Sequence, residues 1–276
     1  MIRRLLKINL KGTNNKAHII ILAILSMMIT YIKLSILDMP HSQLFCMGDI
    51  LIWTFGGLSP KFDIINNFQS FTVWIIPNII LIYLVNSCII HKSRETTILI
   101  LPRAKKKLDW LVASNITIGI IVIKYYLILF ISSLLTIFMK MGVRAFVNTN
   151  VIMNNYNNLT VDTNQYLIMG YIFLLNVLAT ICLVYFINNI YYVFFNSNHA
   201  SIIGMIICFI TVITTKFNKI NKLVLMNQGM IIRHDLFKGG FQGFNLSFSI
   251  LYLCIFLTIN FILNITIIRK RDITDI

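Results

Sequence analysis

Long apolar runs that contain almost no charged residues decide what this chain can fold into. A helix needs about 20 mostly apolar residues to cross the hydrocarbon core of a bilayer. Six segments reach or approach that length: residues 17–37, 71–90, 111–139, 166–195, 200–215 and 246–268. The sequence therefore predicts an all-α membrane protein, a bundle of six transmembrane helices that forms one domain over residues 1–276.

The composition agrees with lipid as the main solvent. Hydrophobic residues make up 58% of the chain and charged residues 12%, against roughly 25% charged in a soluble domain. The third and fourth segments exceed the bilayer thickness, so we expect them to tilt or protrude. The fifth, residues 200–215, is short and fits only if it tilts little or stops inside the bilayer.

Basic residues far outnumber acidic ones, with 24 Lys and Arg against nine Asp and Glu and a net charge of +15. All of the basic residues except Lys33 and Lys124, which fall inside spans, lie in the loops or near the ends of the chain. That placement favours contact with anionic lipid headgroups over a nucleic-acid groove. We therefore expect membrane lipid as a partner and no nucleic acid.

The distribution of Lys and Arg among the loops predicts the topology, because cytoplasmic loops carry the excess. One side has fourteen: Arg3, Arg4, Lys7, Lys11, Lys16, Lys92, Arg94, Arg103, Lys105, Lys106, Lys107, Arg269, Lys270 and Arg271. The other side has eight: Lys61, Lys140, Arg144, Lys216, Lys219, Lys222, Arg233 and Lys238. Both termini are therefore predicted to be cytoplasmic. The abundance of Ile, Asn and Lys suggests an AT-rich Gram-positive genome, and hence a bacterial plasma membrane.

Two cytoplasmic segments have patterns of their own. At 100° per residue, Arg3, Arg4, Lys7 and Lys11 fall within an arc of about 100°, so residues 1–11 predict an amphipathic helix in the inner membrane interface. The alternative is an ordinary basic tail that sets the topology.

The second segment lies between spans two and three. Ser93 is placed to cap a short helix, Glu95 lies near its positive N-terminus, and Pro102 ends it. Residues 98–101 form an apolar knob flanked by cations, a pattern that suits docking into a soluble partner. The alternative is that lysines 105–107 only obey the positive-inside rule while the knob dips into the interface.

Polar residues inside the spans are candidates for a translocation path. Lys124 in span three costs roughly 3 kcal/mol to insert at a helix centre, so we expect it to face the bundle interior; alternatively, the helix register places it near the interface. Asn176 and Asn260 are the asparagines we assign to a possible path. Interhelical hydrogen bonding is the usual alternative for such residues.

Residues 216–244 are too polar to cross the membrane and too apolar for a free loop. They include the apolar runs 223–226 and 229–232, followed by Gly239, Gly240 and Gly243. A re-entrant or surface-lying hairpin on the outer face satisfies both observations.

Several functional classes lack their motifs. The sequence contains no G-x-x-x-x-G-K-[ST] loop, no H-E-x-x-H and no Asp or Glu within a predicted span. Proton-coupled transporters and intramembrane aspartyl proteases depend on buried carboxylates. We therefore predict no catalytic, metal or cofactor site in this chain, and an energy source outside it.

Together these parts resemble the membrane subunit of an ABC transporter of the type-2 export class. The resemblance covers the whole chain in layout: an elbow helix before span one, a coupling helix at 93–101, and a short span five followed by an outer re-entrant hairpin. The run Arg103-Ala-Lys-Lys-Lys-Leu-Asp-Trp110 is similar to one in permeases of low-GC Gram-positive bacteria.

The resemblance implies a pair of permease subunits, identical or homologous, driven by cytoplasmic ATPases that bind the ATP. It implies ATPase contact through the coupling segment, for which the candidate residues are Arg94, Glu95, Ile98, Leu99, Leu101 and Arg103. It also implies export of, or immunity to, a peptide-, antibiotic- or lipid-like substrate. The alternative is a non-transporting membrane immunity or anchor protein.

Overall fold

The computed structural model describes residues 2–11, 16–37, 45–59, 68–86, 107–147, 163–194, 196–214, 218–237 and 245–270, and the regular elements in these ranges are helices. The longer ones are α1 (Ile2–Lys11), α2 (Lys16–Leu37), α3 (Met47–Phe55), α4 (Phe68–Val85), α5 (Lys107–Met141), α6 (Gln165–Phe194), α7 (Ser197–Ile213) and α8 (Leu246–Lys270). Short helical turns at Arg144–Val147 and Asn218–Asn221 and 3₁₀ turns at Leu225–Gly229 and Ile231–Arg233 complete them.

Five helices, α2, α4, α5, α6 and α8, are long and apolar enough to cross a membrane. The prediction of a multi-pass helical membrane protein is confirmed, and the predicted span boundaries agree with the described helix ends to within about five residues. α7, the predicted fifth span, is apolar but only 17 residues long, about 26 Å at 1.5 Å per residue. That it crosses the bilayer as a sixth span stays a prediction.

Polar contacts between helices fix their relative directions. α2 and α5 are parallel, since Ser26 Oγ lies 2.6 Å from Ser133 Oγ and, further along both helices, Lys140 Nζ lies 3.4 Å from Ser35 Oγ. These polar side chains form hydrogen bonds with one another in an apolar environment, where burying an unpaired polar group is unfavourable.

α4 and α6 run in the opposite direction to α2 and α5. The end of α2 meets the start of α4, where Lys33 Nζ lies 3.4 Å from Ser70 Oγ. The start of α5 meets the end of α6, where the rings of Trp110 and Tyr192 are 6.0 Å apart. α2, α4, α5 and α6 therefore alternate in direction, as spans joined by loops on alternate sides do.

α8 is parallel to α6. α7, which lies between them in the sequence, runs in the opposite direction. Cys182 Sγ contacts the carbonyl of Leu253 at 3.3 Å, and seven residues further along both helices Asn189 Nδ2 lies 2.9 Å from Asn260 Oδ1. α7 follows α6 after a two-residue connection and packs back along it. α7 therefore has the direction that a fifth span requires.

α1 is an amphipathic helix packed on the first third of α5. Leu5 is buried, whereas Arg3 and Lys7 are exposed. Asn9 Nδ2 lies 3.5 Å from Thr117 Oγ1 of α5, so the one polar residue of the apolar face has a partner. The helix predicted for residues 1–11 is present, and its placement in the membrane interface remains part of the proposal below.

The helix directions sort the helix ends into two groups. α1 and the last turn of α8, with Arg269 and Lys270, lie at one end of the bundle, which we call the α1 end. The start of α6, α3 and residues 218–237 lie at the other, which we call the α3 end. The first and last described residues are thus at the same end of the bundle.

Candidate functional site

Two segments that do not cross the bundle enter it from the α3 end and meet inside. They are residues 45–59, which contain α3, and residues 218–237, which contain the two 3₁₀ turns. Asn176 Nδ2 of α6 donates to the carbonyl of Phe55 at 3.1 Å. Gly229 lies against the same part of α6, since a Cβ there would be 2.8 Å from Ala179 Cβ. Both contacts lie more than ten residues into α6, so the segments penetrate by about 15 Å.

α3 is a nine-residue helix with almost no face for water. Eight of its residues are buried and Trp53 is half-buried. At its start, Asp49 Oδ2 accepts the backbone N–H of Cys46 at 2.9 Å, where the helix dipole favours a carboxylate. At its end, the ring of Phe55 stacks on Phe130 of α5 at 4.8 Å. The helix is therefore capped at its start and packed against α5 at its end, although it is too short to span a membrane.

Gly56 and Gly57 end α3 and bring the two segments into main-chain contact. Gly57 has a φ of 101°, which L side chains rarely adopt, and a Cβ there would lie 2.4 Å from Met230 Cγ. The backbone N–H of Ile232 donates to the carbonyl of Gly56 at 3.3 Å. Glycine at 57 is thus required both by its backbone conformation and by the close approach of the second segment.

Arg233 is a fully buried cation at this junction, with 0% of its surface exposed. Its Nε donates to the carbonyl of Leu58 at 3.2 Å and its Nη1 to Asn221 Oδ1 at 2.5 Å, whereas Nη2 has no hydrogen-bond partner among the described residues. Burial lowers the pKa of the guanidinium to about 9, so it remains charged at neutral pH. Both acceptors are uncharged, which leaves the positive charge only partly compensated.

Three side-chain amides hold the segment around Arg233. Asn221 Oδ1 accepts from Asn227 Nδ2 as well as from Arg233, and Asn227 Nδ2 also lies 3.0 Å from the carbonyl of Asn221. Gln228 Nε2 donates to the carbonyl of Lys222 at 2.5 Å. These bonds close the residues between Asn218–Asn221 and the 3₁₀ turns into a compact loop without regular secondary structure.

His234 continues the network toward α8. Its Nδ1 lies 3.0 Å from the carbonyl of Met230, which can only accept, so this nitrogen carries the proton. Its Nε2 lies 2.9 Å from Ser249 Oγ, and that hydroxyl lies 2.6 Å from Gln228 Oε1. Burial lowers the pKa of His234, so the imidazole is neutral at pH 7. The single Ser249 proton therefore serves either His234 or Gln228.

The chemistry that Arg233 offers at this junction is hydrogen-bond donation to an oxygen atom. A buried guanidinium with one nitrogen still able to donate is a strong donor for a carbonyl, carboxylate or phosphate oxygen. No cluster of three or more potential metal-ligating residues occurs within the described residues. The junction is also the point where two segments distant in sequence are joined by only a few hydrogen bonds.

The three predicted path residues lie in different places. Asn176 is at the junction, bonded to Phe55. Asn260 forms a hydrogen bond with Asn189 of α6. This is the interhelical hydrogen bond that the sequence analysis gave as the alternative to a role in a translocation path. Lys124 lines a cavity of about 50 Å³ between α2, α4 and α5, together with His18 near the start of α2. They do not meet in one site.

The predicted coupling residues lie outside the described part of the chain. They are Arg94, Glu95, Ile98, Leu99, Leu101 and Arg103. Their role stays a prediction.

Sequence reasoning did not find α3 or the role of Arg233. From the sequence, Arg233 counts only among the basic residues of the outer side, whereas the structure buries it completely. Two signals were present: the apolar run 50–55 ends at a Gly-Gly pair, and Arg233 directly follows the apolar run 229–232. Neither is specific, because the partner of each is about 175 residues away in sequence.

Comparison with known proteins finds no matching family model, no matching curated protein and no matching solved structure. The functional argument therefore depends on the geometry of this chain.

Proposed function

We propose that this chain is the membrane-spanning permease subunit of an ATP-driven exporter of the ABC type-2 class. In this proposal the bundle has six spans, with α7 as the fifth, and the segment 218–237 re-enters from the outer face. The α1 end faces the bacterial cytoplasm, where α1 is the elbow helix. The chain itself is not an enzyme, since ATP is bound and hydrolysed by a partner.

The observation that carries the proposal is the difference between the two ends of the bundle. The α3 end is closed by two half-inserted segments joined through Gly56, Ile232 and Arg233. Irregular backbone at membrane depth is tolerated where protein buries it or where it lines a path. Segments that stop halfway and meet at few bonds can separate without unfolding a spanning helix, which is what a gate requires.

α5 supplies a mechanical connection from the proposed coupling segment to this gate. α5 begins at Lys107, directly after the stretch that contains residues 93–101, and its Phe130 stacks on Phe55 at the end of α3. When the partner ATPases close on ATP and push residues 93–101, α5 transmits the displacement to Phe55. The bond between Gly56 and Ile232 then breaks and the gate opens.

The partners in this proposal are a cytoplasmic ABC ATPase, a second permease subunit that is identical or homologous, and membrane lipid. Opening the junction exposes Arg233, whose Nη2 then meets the oxygens of the passing molecule. An anionic or carbonyl-rich cargo, such as a peptide or a lipid-like antibiotic, suits that donor.

The experiment that tests the proposal is affinity purification of the full chain from its native host in mild detergent. We expect an ABC ATPase to co-elute with the wild-type chain and to be lost on deletion of residues 98–101. Deletion of residues 151–154, four residues of the loop predicted on the opposite side, is the matched control and should retain the ATPase.

Membrane insertion is measured in parallel, so that loss of the ATPase is not confused with loss of the protein. Retention of the ATPase by the 98–101 deletion contradicts the coupling assignment. Absence of any ATPase from the wild-type preparation contradicts the transporter proposal and favours a non-transporting immunity or anchor protein.

A further inference from the structure

A groove of about 710 Å³ opens on the outside of the bundle between α5, α6 and α8. Apolar side chains line almost all of it, among them Ile116, Ile120, Ile181 and Ile262. Its volume is in the range of sites for a single small or lipid-like molecule. The groove belongs to the half of the bundle nearer the α1 end, away from the junction.

Gly119 of α5 is one of the residues that line the groove. A Cβ added at Gly119 would meet no atom of the described residues within 4 Å, so the space in front of it is open. One polar edge is formed by Asn115, whose carbonyl accepts the Tyr185 hydroxyl at 2.9 Å and whose Nδ2 is buried without a partner in the described ranges. The rest of the surface offers an occupant mainly apolar contacts.

The open side of α8 continues from the groove to a cation. Arg269 follows Ile262 by seven residues, or about two turns, and therefore lies on the same face of α8. It is exposed, and Lys270 and Lys107 lie at the same end of the bundle, where Asp109 is the one carboxylate among the described residues. The charge of these residues at this end of the groove is net positive.

The distances match half a bilayer. Leu257 lies at the end of the groove nearer the middle of α8. It precedes Arg269 by twelve residues, or about 18 Å along the helix. Half of a bilayer including its headgroups measures about 20 Å. A molecule with an anion at Arg269 and a hydrocarbon chain extending to Leu257 thus has the dimensions of one phospholipid.

We propose that this groove holds an acyl chain of an anionic membrane phospholipid, whose phosphate contacts Arg269. The apolar walls bind the chain, and Arg269 selects a negatively charged headgroup. The site requires only that the chain spans a membrane, so it does not depend on the transport proposal.

The test is native mass spectrometry of the full chain purified in mild detergent and mixed with phosphatidylglycerol or phosphatidylcholine. We expect one tightly held phosphatidylglycerol per chain. Gly119→Phe fills the groove and should remove that lipid. Gly170→Phe is the matched control and should keep the lipid, because Gly170 is an exposed helical glycine of α6 where an added Cβ would likewise meet no described atom within 4 Å.

Arg269→Gln tests the headgroup contact without changing the groove. Loss of one charge-assisted contact should weaken phosphatidylglycerol binding by about tenfold and phosphatidylcholine binding by less, because the choline cation already neutralises the phosphate of that lipid. Equal lipid retention by Gly119→Phe and Gly170→Phe overturns the proposal. So does a Gly119→Phe chain that keeps its lipid but loses dimers, since the groove is then an interface between copies of the chain.

Discussion

Arg233 and Gly57 hold the junction in different ways. Arg233 donates two hydrogen bonds to oxygens of buried residues, the carbonyl of Leu58 and the side-chain amide of Asn221. Its burial costs several kcal/mol that uncharged acceptors only partly offset. Gly57 contributes no side chain, and its value is the space that it leaves for Met230. Arg233 therefore joins the two segments by polar contacts at a cost in burial, and Gly57 allows them to approach because it has no side chain.

The Gly57 contact gives a prediction at the scale of one residue. Gly57→Ala should destabilise the protein by about 2–4 kcal/mol, since it adds a clash with Met230 to an unfavourable φ. Gly142→Ala is the control, because Gly142 also has a positive φ of 67° but its Cβ would meet no described atom within 4 Å. The control should cost only about 1 kcal/mol.

Unfolding by denaturant in mixed micelles measures both variants. Combining Gly57→Ala with Met230→Gly should cost less than the sum of the two single variants, because the new methyl group would lie 2.4 Å and 2.6 Å from Met230 Cγ and Cβ, which glycine lacks. Equal destabilisation by Gly57→Ala and Gly142→Ala would show that the clash with Met230 contributes nothing.

At the scale of elements, the long helices follow from the sequence and α3 does not. The five long helices have apolar runs of sufficient length, so their bounds could be predicted to within a few residues. α3 is nine residues long and its apolar run, 50–55, has six residues, which is too short for a span and is typical of part of a loop. Its burial depends on Phe130, Asn176 and Ile232, which come from three other parts of the chain.

The pairing of α6 with α8 gives the prediction at this scale. Asn189 Nδ2 lies 2.9 Å from Asn260 Oδ1 and 3.1 Å from the Asn260 carbonyl. A double-mutant cycle with leucine at both positions should give a coupling energy of about 0.6 to 1.7 kcal/mol, the range for interhelical hydrogen bonds in membranes. Denaturant unfolding of the four proteins measures it.

The matched cycle uses Asn176 and Asn260, which are both in-span asparagines but have different partners. We expect its coupling energy to be zero within error. A zero value for the Asn189–Asn260 cycle as well would show that Asn260 does not pair α6 with α8.

At the scale of the whole molecule, the helix directions place Ile2 and Lys270 at one end of the bundle. We predict that reporters fused before residue 2 and after residue 270 both indicate the cytoplasm, because fourteen Lys and Arg are assigned to that side. A reporter inserted at residue 155 should indicate the outside. Paired fluorescent and alkaline phosphatase fusions measure the three positions.

Opposite locations for the two termini would contradict the parallel arrangement of α6 and α8 in the bundle. Two external termini would leave the bundle intact and reverse only its orientation. The alternating direction of the spans could be predicted from the sequence, because a loop stays on one side of the membrane and the two spans that it joins must run in opposite directions. The depth of Lys124 in the bundle could not be predicted from the sequence. That depth depends on how α2 is aligned along α5, which brings His18 near the start of α2 to the same cavity as Lys124.

The bond between Arg233 and Leu58 joins residues 175 positions apart, and this separation has a consequence for biosynthesis. At 5–20 residues per second, a ribosome reaches residue 233 about 10–35 s after residue 58. During that interval the carbonyls at the end of α3 lack their final partners, and a nine-residue helix cannot remain in lipid alone. In the membrane arrangement proposed above, α3 therefore enters the hydrocarbon core only after residue 233 has been made, among the last steps of the chain's assembly.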